Sequence, residues 1–422
     1  MNVFGFRIFY GWFVLGGVFT MYAVSNGISN FTLPLFYPYL MDEFGWNQAE
    51  VTRPAAIKFA FASIYNLTIG YLMDRYAPRP IMAMGGLVMV TGLISYIFMT
   101  ELWHFTVIYL FFAMGLSMCG LIPCMVTTGR WFTKFRGRAV GILLMASSFG
   151  GAVIPLIIKG SLVEGDWREA MSTLAVLGFM FMVLPVLWPV KARPSDIGET
   201  PDGLTGDEAA AAENEQLGIV GNISVPEAAR MPVFYLLLAA TGILWFCITG
   251  VIQHQAIYLG QDQGVSGGDM ATVFSLFFFC SVFGKFIFGY FSDRFAKGHI
   301  MLLAIINLTI GLAILRFVDG LGIEMIYLYA VVYGIGFSGT FTMIQLMVAE
   351  LFMGSTYGRI LGIYVFVDTL AASLGIFVLG QIRVAAGSYV PGIDLMIALA
   401  LVATVCVLAV NRIAAQRVTA AA

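Results

Sequence analysis

The apolar residues of this chain come in runs of about 20, longer than the alternating pattern of a half-buried strand and broader than the stripe of a surface helix. Each run ends at a short polar break, and each is close to the ~20 residues a helix needs to cross a bilayer. Twelve spans are predicted, over 10–33, 54–73, 80–99, 105–128, 138–160, 169–190, 232–254, 270–292, 299–317, 324–350, 360–382 and 391–411. One long polar segment, 191–231, divides them, carrying Pro194, Pro201, Gly203 and an acidic, alanine-rich stretch over 207–215. It reads as a linker between an N-terminal six-helix half, 1–190, and a C-terminal six-helix half, 232–422. The first run begins near Tyr10 after a single Arg7, passes Ser29 and lacks a small-residue cleavage site, so it is expected to be a retained helix.

Composition identifies the solvent. Of 422 residues, 60% are hydrophobic and 11% charged, against roughly 25% charged in a soluble domain. The expected fold class is all-α integral membrane. With a net charge of −2 and no basic run, the chain is not expected to bind nucleic acid. The five cysteines fall inside apolar runs without metal-type spacing and read as small core residues. No metal site or cofactor is expected. Gly284-Lys285 is followed by Phe286, not by the Ser or Thr of a phosphate-binding loop, so energy for any transport has to come from a gradient. His104, His254 and His299 are scattered in depth and do not assemble a catalytic set, so no enzyme is expected. Asn30, Asn66, Asn222 and Asn307 match the glycosylation pattern but fall within or near spans or in the linker.

Positive charge orients the chain. With the N-terminus inside, 15 Lys and Arg residues fall on the cytoplasmic side and 5 outside, while Lys58 and Lys285 lie within spans. Cytoplasmic loops retain Lys and Arg, so both termini and the linker are expected in the cytoplasm.

The two halves repeat. Gly70-Tyr-Leu-Met-Asp74-Arg75, ending span two, recurs as Gly289-Tyr-Phe-Ser-Asp293-Arg294, ending span eight. Gly137-Arg138-Ala-Val-Gly141-Ile142, entering span five, recurs as Gly358-Arg359-Ile-Leu-Gly362-Ile363, entering span eleven. The offset is about half the chain in both cases, which points to duplication. Glycines such as Gly115, Gly120, Gly141, Gly150, Gly151, Gly334, Gly336 and Gly339 are expected to let helices approach closely.

These loops and the six-plus-six layout resemble the major facilitator superfamily. Tyr10-Gly11-Trp12, the stretch from Arg130-Trp131-Phe132 through Gly141, and Ser147 to Gly150 resemble signatures of its monocarboxylate transporters. The loop Arg193-Pro194-Ser-Asp196-Ile-Gly198 resembles bacterial relatives in the monocarboxylate and oxalate–formate groups. The resemblance implies two six-helix halves around a central cavity that transport by alternating access, working as a monomer in a bacterial inner membrane.

Ionisable groups in the hydrocarbon region cost roughly 2.5–3.5 kcal/mol on insertion scales and are functional candidates by default. Lys285 and Asp368 are each roughly 12 Å from the cytoplasmic boundary by helical rise, at a shared depth. By the resemblance, Lys285 stands where these carriers place an arginine that holds a substrate carboxylate. Asp368 stands where monocarboxylate transporters carry an acid and oxalate carriers a lysine. Lys285 is expected to bind an anionic head group, and Asp368 to be its counter-ion or the proton-coupling carboxylate. The opposing reading is a plain Lys285–Asp368 ion pair that only locks helices together. Lys58 is a substrate-binding candidate, or else a snorkelling side chain. His254 is an entrance or binding residue, or else a hydrogen-bonded structural histidine. Asn30 stands where some relatives place a proton-coupling lysine. Asp74, Arg75, Asp293 and Arg294 are gating candidates, or else topology signals. The expected cargo is a small organic anion, with protons as the coupling partner. An exporter of amphipathic solutes and a non-transporting membrane sensor stand as the alternatives.

Overall fold

The computed structural model describes residues 2–3, 6–7, 9–132, 135–188, 190–191, 193–203, 223–292, 294–319, 322–352 and 357–421. Backbone amides and carbonyls have no water to bond in lipid, so each apolar run closes its hydrogen bonds internally as a helix. The long helical segments are α1 (Gly11–Asn26), α2 (Gln48–Arg75), α3 (Pro78–Ile97), α4 (Leu102–Trp131), α5 (Arg136–Ile157) and α6 (Trp167–Leu187). They are followed by α7 (Pro232–Ile257), α8 (Gly267–Ser292), α9 (Lys297–Arg316), α10 (Ile323–Phe352), α11 (Tyr357–Ala386) and α12 (Val390–Ala421). Among the described residues, α3 to α12 are each long and apolar enough to cross a membrane. The only strands among them are a two-residue antiparallel pair, Asn2–Val3 with Phe6–Arg7.

The first span departs from the regular helix expected over 10–33. After Asn26 the chain widens into a π turn, Gly27–Thr32, tightens into a 3₁₀ turn, Leu33–Phe36, and resumes as a short helix, Tyr37–Phe44. Pro34 accounts for this, because it has no N–H to donate and its ring clashes with the carbonyl four residues earlier. Gly45, at φ +69, then ends the short helix in a left-handed conformation that suits glycine. In the linker, 3₁₀ turns cover Pro194–Ile197 and Pro201–Gly203, and a four-residue helix covers Val225–Ala228. The acidic stretch over 207–215 lies outside the described residues.

Two compact units emerge, one of Met1–Leu33 with Ile64–Glu215, the other of Pro34–Ser63 with Gln216–Ala422. Their internal pairings match. In the first unit α1 packs on α5, and α3 on both α4 and α6. In the second, α7 packs on α11, and α9 on both α10 and α12, each helix six places further along. Residues 34–63 belong to the second unit through hydrogen bonds such as Tyr37 hydroxyl to Gln253 Oε1 at 2.9 Å and Ser373 hydroxyl to the Ala56 carbonyl at 2.8 Å.

Glycines set the closest crossings. A methyl group at Gly150 of α5 would fall on the Ala23 carbonyl of α1, and one at Gly375 of α11 would fall on the Phe246 carbonyl of α7. Gly115 and Gly336 likewise bring α4 onto α3 and α10 onto α9. The expectation fails at Gly141, where no neighbouring atom lies within 4 Å. Gly120 instead faces Leu116 of its own helix, at a break in α4.

Candidate functional site

Lys285 lies seven residues before the end of α8 and is 5% exposed, so its stem and ammonium are enclosed by protein. Gly284 beside it packs on Ser338 of α10, which brings the two helices together at this level. The Lys285 ammonium sits 4.4 Å from the centroid of the Phe341 ring on α10. Such a cation–π contact contributes about 0.5–2 kcal/mol and offsets part of the loss of hydration. Trp245 of α7 meets the same Phe341 ring edge-on, with centroids 5.7 Å apart.

Asp368 of α11 is 4% exposed. Its carboxyl lies against the Thr241 hydroxyl of α7, with Tyr364 close by. The Thr241 hydroxyl lies 3.2 Å from the Leu238 carbonyl and is also within hydrogen-bonding reach of this carboxyl, whose Oδ1 atom is buried without a hydrogen-bond partner. Among the described contacts, the groups beside this carboxyl are Thr241 and Tyr364, and the Lys285 ammonium is placed on the Phe341 ring. The two charged residues are linked indirectly: Thr241 and Trp245 lie one turn apart on one face of α7, touching Asp368 and the Phe341–Lys285 pair respectively.

Lys58 does not snorkel. It is 1% exposed, with its ammonium 4.7 Å from the Phe59 ring centroid, because this part of α2 is covered by the second unit's helices. His254 is held by hydrogen bonds at both ring nitrogens. It is 1% exposed, Nε2 lies 3.0 Å from the Ile376 carbonyl, and Nδ1 lies 2.9 Å from the Tyr389 hydroxyl. A carbonyl only accepts, so Nε2 carries the proton and Nδ1 accepts from the tyrosine. The flanking glutamines are held the same way: the Tyr37 hydroxyl donates to Gln253, and the Tyr329 hydroxyl donates to Gln255 at 2.6 Å.

Asn30 sits in the π turn of the first unit and donates to Asn26 Oδ1 at 3.3 Å. Of the four gating candidates, the Asp74 and Arg75 side chains and the whole of Asp293 lie outside the described residues. Arg294 is exposed, stacked 4.3 Å over the Tyr290 ring. The Arg130 guanidinium donates to the Met73 carbonyl at 2.8 Å and so holds the end of α2.

Reading the sequence for charges missed an aromatic column. Tyr329, Tyr333, Phe337 and Phe341 recur every fourth residue on α10, and all are buried. Tyr329 and Tyr333 stack at 5.4 Å, Phe277 of α8 bridges Tyr333 and Phe337 at 5.6 and 5.5 Å, and Phe337 reaches Phe341 at 6.1 Å. The column runs from Gln255 at one end to the Lys285 ammonium at the other. The four-residue spacing was visible, but in a wholly apolar helix such spacing more often marks ordinary core.

A model of the Major Facilitator Superfamily matches residues 18–259 and 254–421. The agnestins efflux protein of Paecilomyces divaricatus is 23% identical over 380 residues, which cover 89% of this chain and 81% of that protein. The glycerol-3-phosphate transporter of Bacillus subtilis is 24% identical over 297 residues, 67% of this chain and 65% of that one. A crystal structure of a bacterial homolog of the human lysosomal transporter Spinster, inward-facing and unoccupied, superposes with a TM-score of 0.69 at 16% identity over 97% of each chain. At that identity the likeness is one of fold. The match to the family model over nearly the whole chain, the duplicated helix pairing and the shared fold lead to one assignment: the chain is a membrane protein that belongs to the major facilitator superfamily.

Proposed function

We propose that this transporter is a secondary carrier of a small organic anion, a monocarboxylate in the first instance, moved by proton symport or anion exchange through alternating access. One observation carries the reading: a fully enclosed ammonium, Lys285, rests on an aromatic face while the buried carboxyl of Asp368 is turned to Thr241. An anion arriving at Lys285 gains a charge-assisted hydrogen bond in a medium of low dielectric, where such bonds are strongest. Lysine presents a point charge and not the bidentate fork of arginine, which suits a cargo held by one carboxylate oxygen. The relative that moves glycerol 3-phosphate is consistent with an anionic cargo. Within the superfamily, the monocarboxylate and oxalate–formate groups fit best, on the motifs around Trp12 and Arg130.

Asp368 is assigned the proton-coupling role, with Lys58 as a second cationic contact and the loop residues Asp74, Arg75, Asp293 and Arg294 as gating groups. The protein is placed in a bacterial inner membrane, as a monomer, with both termini in the cytoplasm. Uptake of radiolabelled monocarboxylates into proteoliposomes, with and without an imposed pH gradient, tests the reading. Lys285→Ala is expected to abolish acid uptake, and unchanged uptake would overturn the proposal. A second reading, export of amphipathic solutes, draws on the buried aromatic column and on the agnestins efflux relative. Transport of uncharged amphiphiles in preference to acids would favour it.

A further inference from the structure

The placement of Lys285, Trp245, Phe341 and Asp368 constrains the shape of the cargo as well as its charge. Lys285 rests on Phe341, Phe341 meets Trp245, and one turn of α7 leads from Trp245 to Thr241, which lies beside Asp368. The Oδ1 atom of Asp368 is buried without a hydrogen-bond partner, and the one neighbouring hydroxyl, Thr241, is shared between this carboxyl and the Leu238 carbonyl. A buried carboxyl oxygen without a partner has room for one more donor. In this series of contacts Trp245 and Phe341 are set edge-to-face with an interplanar angle of 73°, the geometry aromatic rings prefer for each other.

We propose that the cargo is an extended aromatic acid, with its carboxylate at Lys285, its ring against Trp245 and Phe341, and a hydroxyl or amino group at its far end donating to Asp368. This deepens the organic-anion reading and rests on it. A site built to bond a substrate hydroxyl rejects the analogue lacking it, because its own buried polar atom is then left unsatisfied. A ring bearing the carboxylate arm and the hydroxyl at opposite positions has the required order of polar, flat and polar parts. Lactate has no ring to occupy the aromatic pair. Phenylacetate has the ring and no donor.

The test uses the full-length protein in proteoliposomes, with binding of tritiated 4-hydroxyphenylacetate measured by scintillation proximity against unlabelled phenylacetate and lactate. The expected order is 4-hydroxyphenylacetate ahead of phenylacetate by about tenfold or more, with lactate weaker than both. In Asp368→Ala the preference for the hydroxyl is expected to fall to about one. Competition among the three acids on the unaltered protein does not depend on whether a variant folds. Lactate competing as well as the aryl acids would overturn the extended-acid proposal and leave the anion reading standing. So would equal competition by the two aryl acids. If none of the acids binds, or if Lys285→Ala binds them as well as the unaltered protein does, the anion reading itself fails.

Discussion

Three consecutive side chains near the end of α7, Gln253, His254 and Gln255, are each bonded to a tyrosine, and His254 has both ring nitrogens occupied. His254→Phe keeps the ring volume and leaves the Tyr389 hydroxyl and the Ile376 carbonyl without their partner. Each buried group left unsatisfied costs about 1–3 kcal/mol, so the melting temperature of the detergent-solubilised protein is expected to fall. The ranking of acids in a competition assay should stay as it is, and a changed ranking would return His254 to the binding site. Lys58 tests the opposite case. An ammonium kept in the hydrocarbon region for binding burdens the fold by roughly 2.5–3.5 kcal/mol on insertion scales, a cost that an apolar side chain of similar length does not carry. Lys58→Met is therefore expected to hold or raise the melting temperature while lowering acid uptake. Loss of stability together with unchanged uptake would assign Lys58 to the scaffold. None of this was legible from residue type, since the same lysine within the same apolar run suits a snorkelling group and an enclosed one.

Helix crossings place these residues, and each unit has a glycine at the crossing of its matching helix pair, α1 on α5 and α7 on α11. Gly150→Val and Gly375→Val drive a branched side chain into the Ala23 and Phe246 carbonyls, and each is expected to cost about 1–3 kcal/mol or to prevent folding. Gly141→Ala and Gly362→Ala, where no atom lies within 4 Å, are expected to be neutral or slightly stabilising, as alanine is the better helix former. Thermal denaturation followed by size-exclusion chromatography separates the two sets. In the linker, the helix Val225–Ala228 is capped reciprocally: the Ser224 N–H and hydroxyl donate to Glu227 Oε2 at 2.7 and 2.8 Å. These bonds, the backbone one first, hold the Glu227 carboxyl below the usual carboxylate range. The cap is therefore complete above the carboxylate's unfolded pKa and is lost as pH falls through its lower folded value. Amide exchange over 225–228, corrected for intrinsic rates, should quicken in that acidic window, and Glu227→Gln should remove the pH dependence.

For the molecule as a whole, the coupling assignment makes transport depend on the proton gradient through a single buried acid. Asp368→Asn is expected to abolish stimulation of uptake by an inward proton gradient while exchange of internal for external acid continues. Stimulation that survives the substitution would remove Asp368 from the coupling role. The spans and the duplication could be read from the chain alone, because lipid requires each crossing segment to meet its length and hydrogen-bonding needs locally. Those needs leave their mark in runs such as 232–254 and in loops such as Gly70–Arg75 and Gly289–Arg294. Charge within a run also marked Lys285 and Asp368 as candidates, since few other residues there carry any. Tertiary structure alone decided that Asp368 lies beside Thr241, that Lys58 is enclosed, that His254 is fully bonded, and that Tyr329, Tyr333, Phe337 and Phe341 form one column ending at an ammonium. A helix that is apolar all round carries no stripe to show which side faces its neighbours, so its rotation is set by interhelical contacts that no single segment contains.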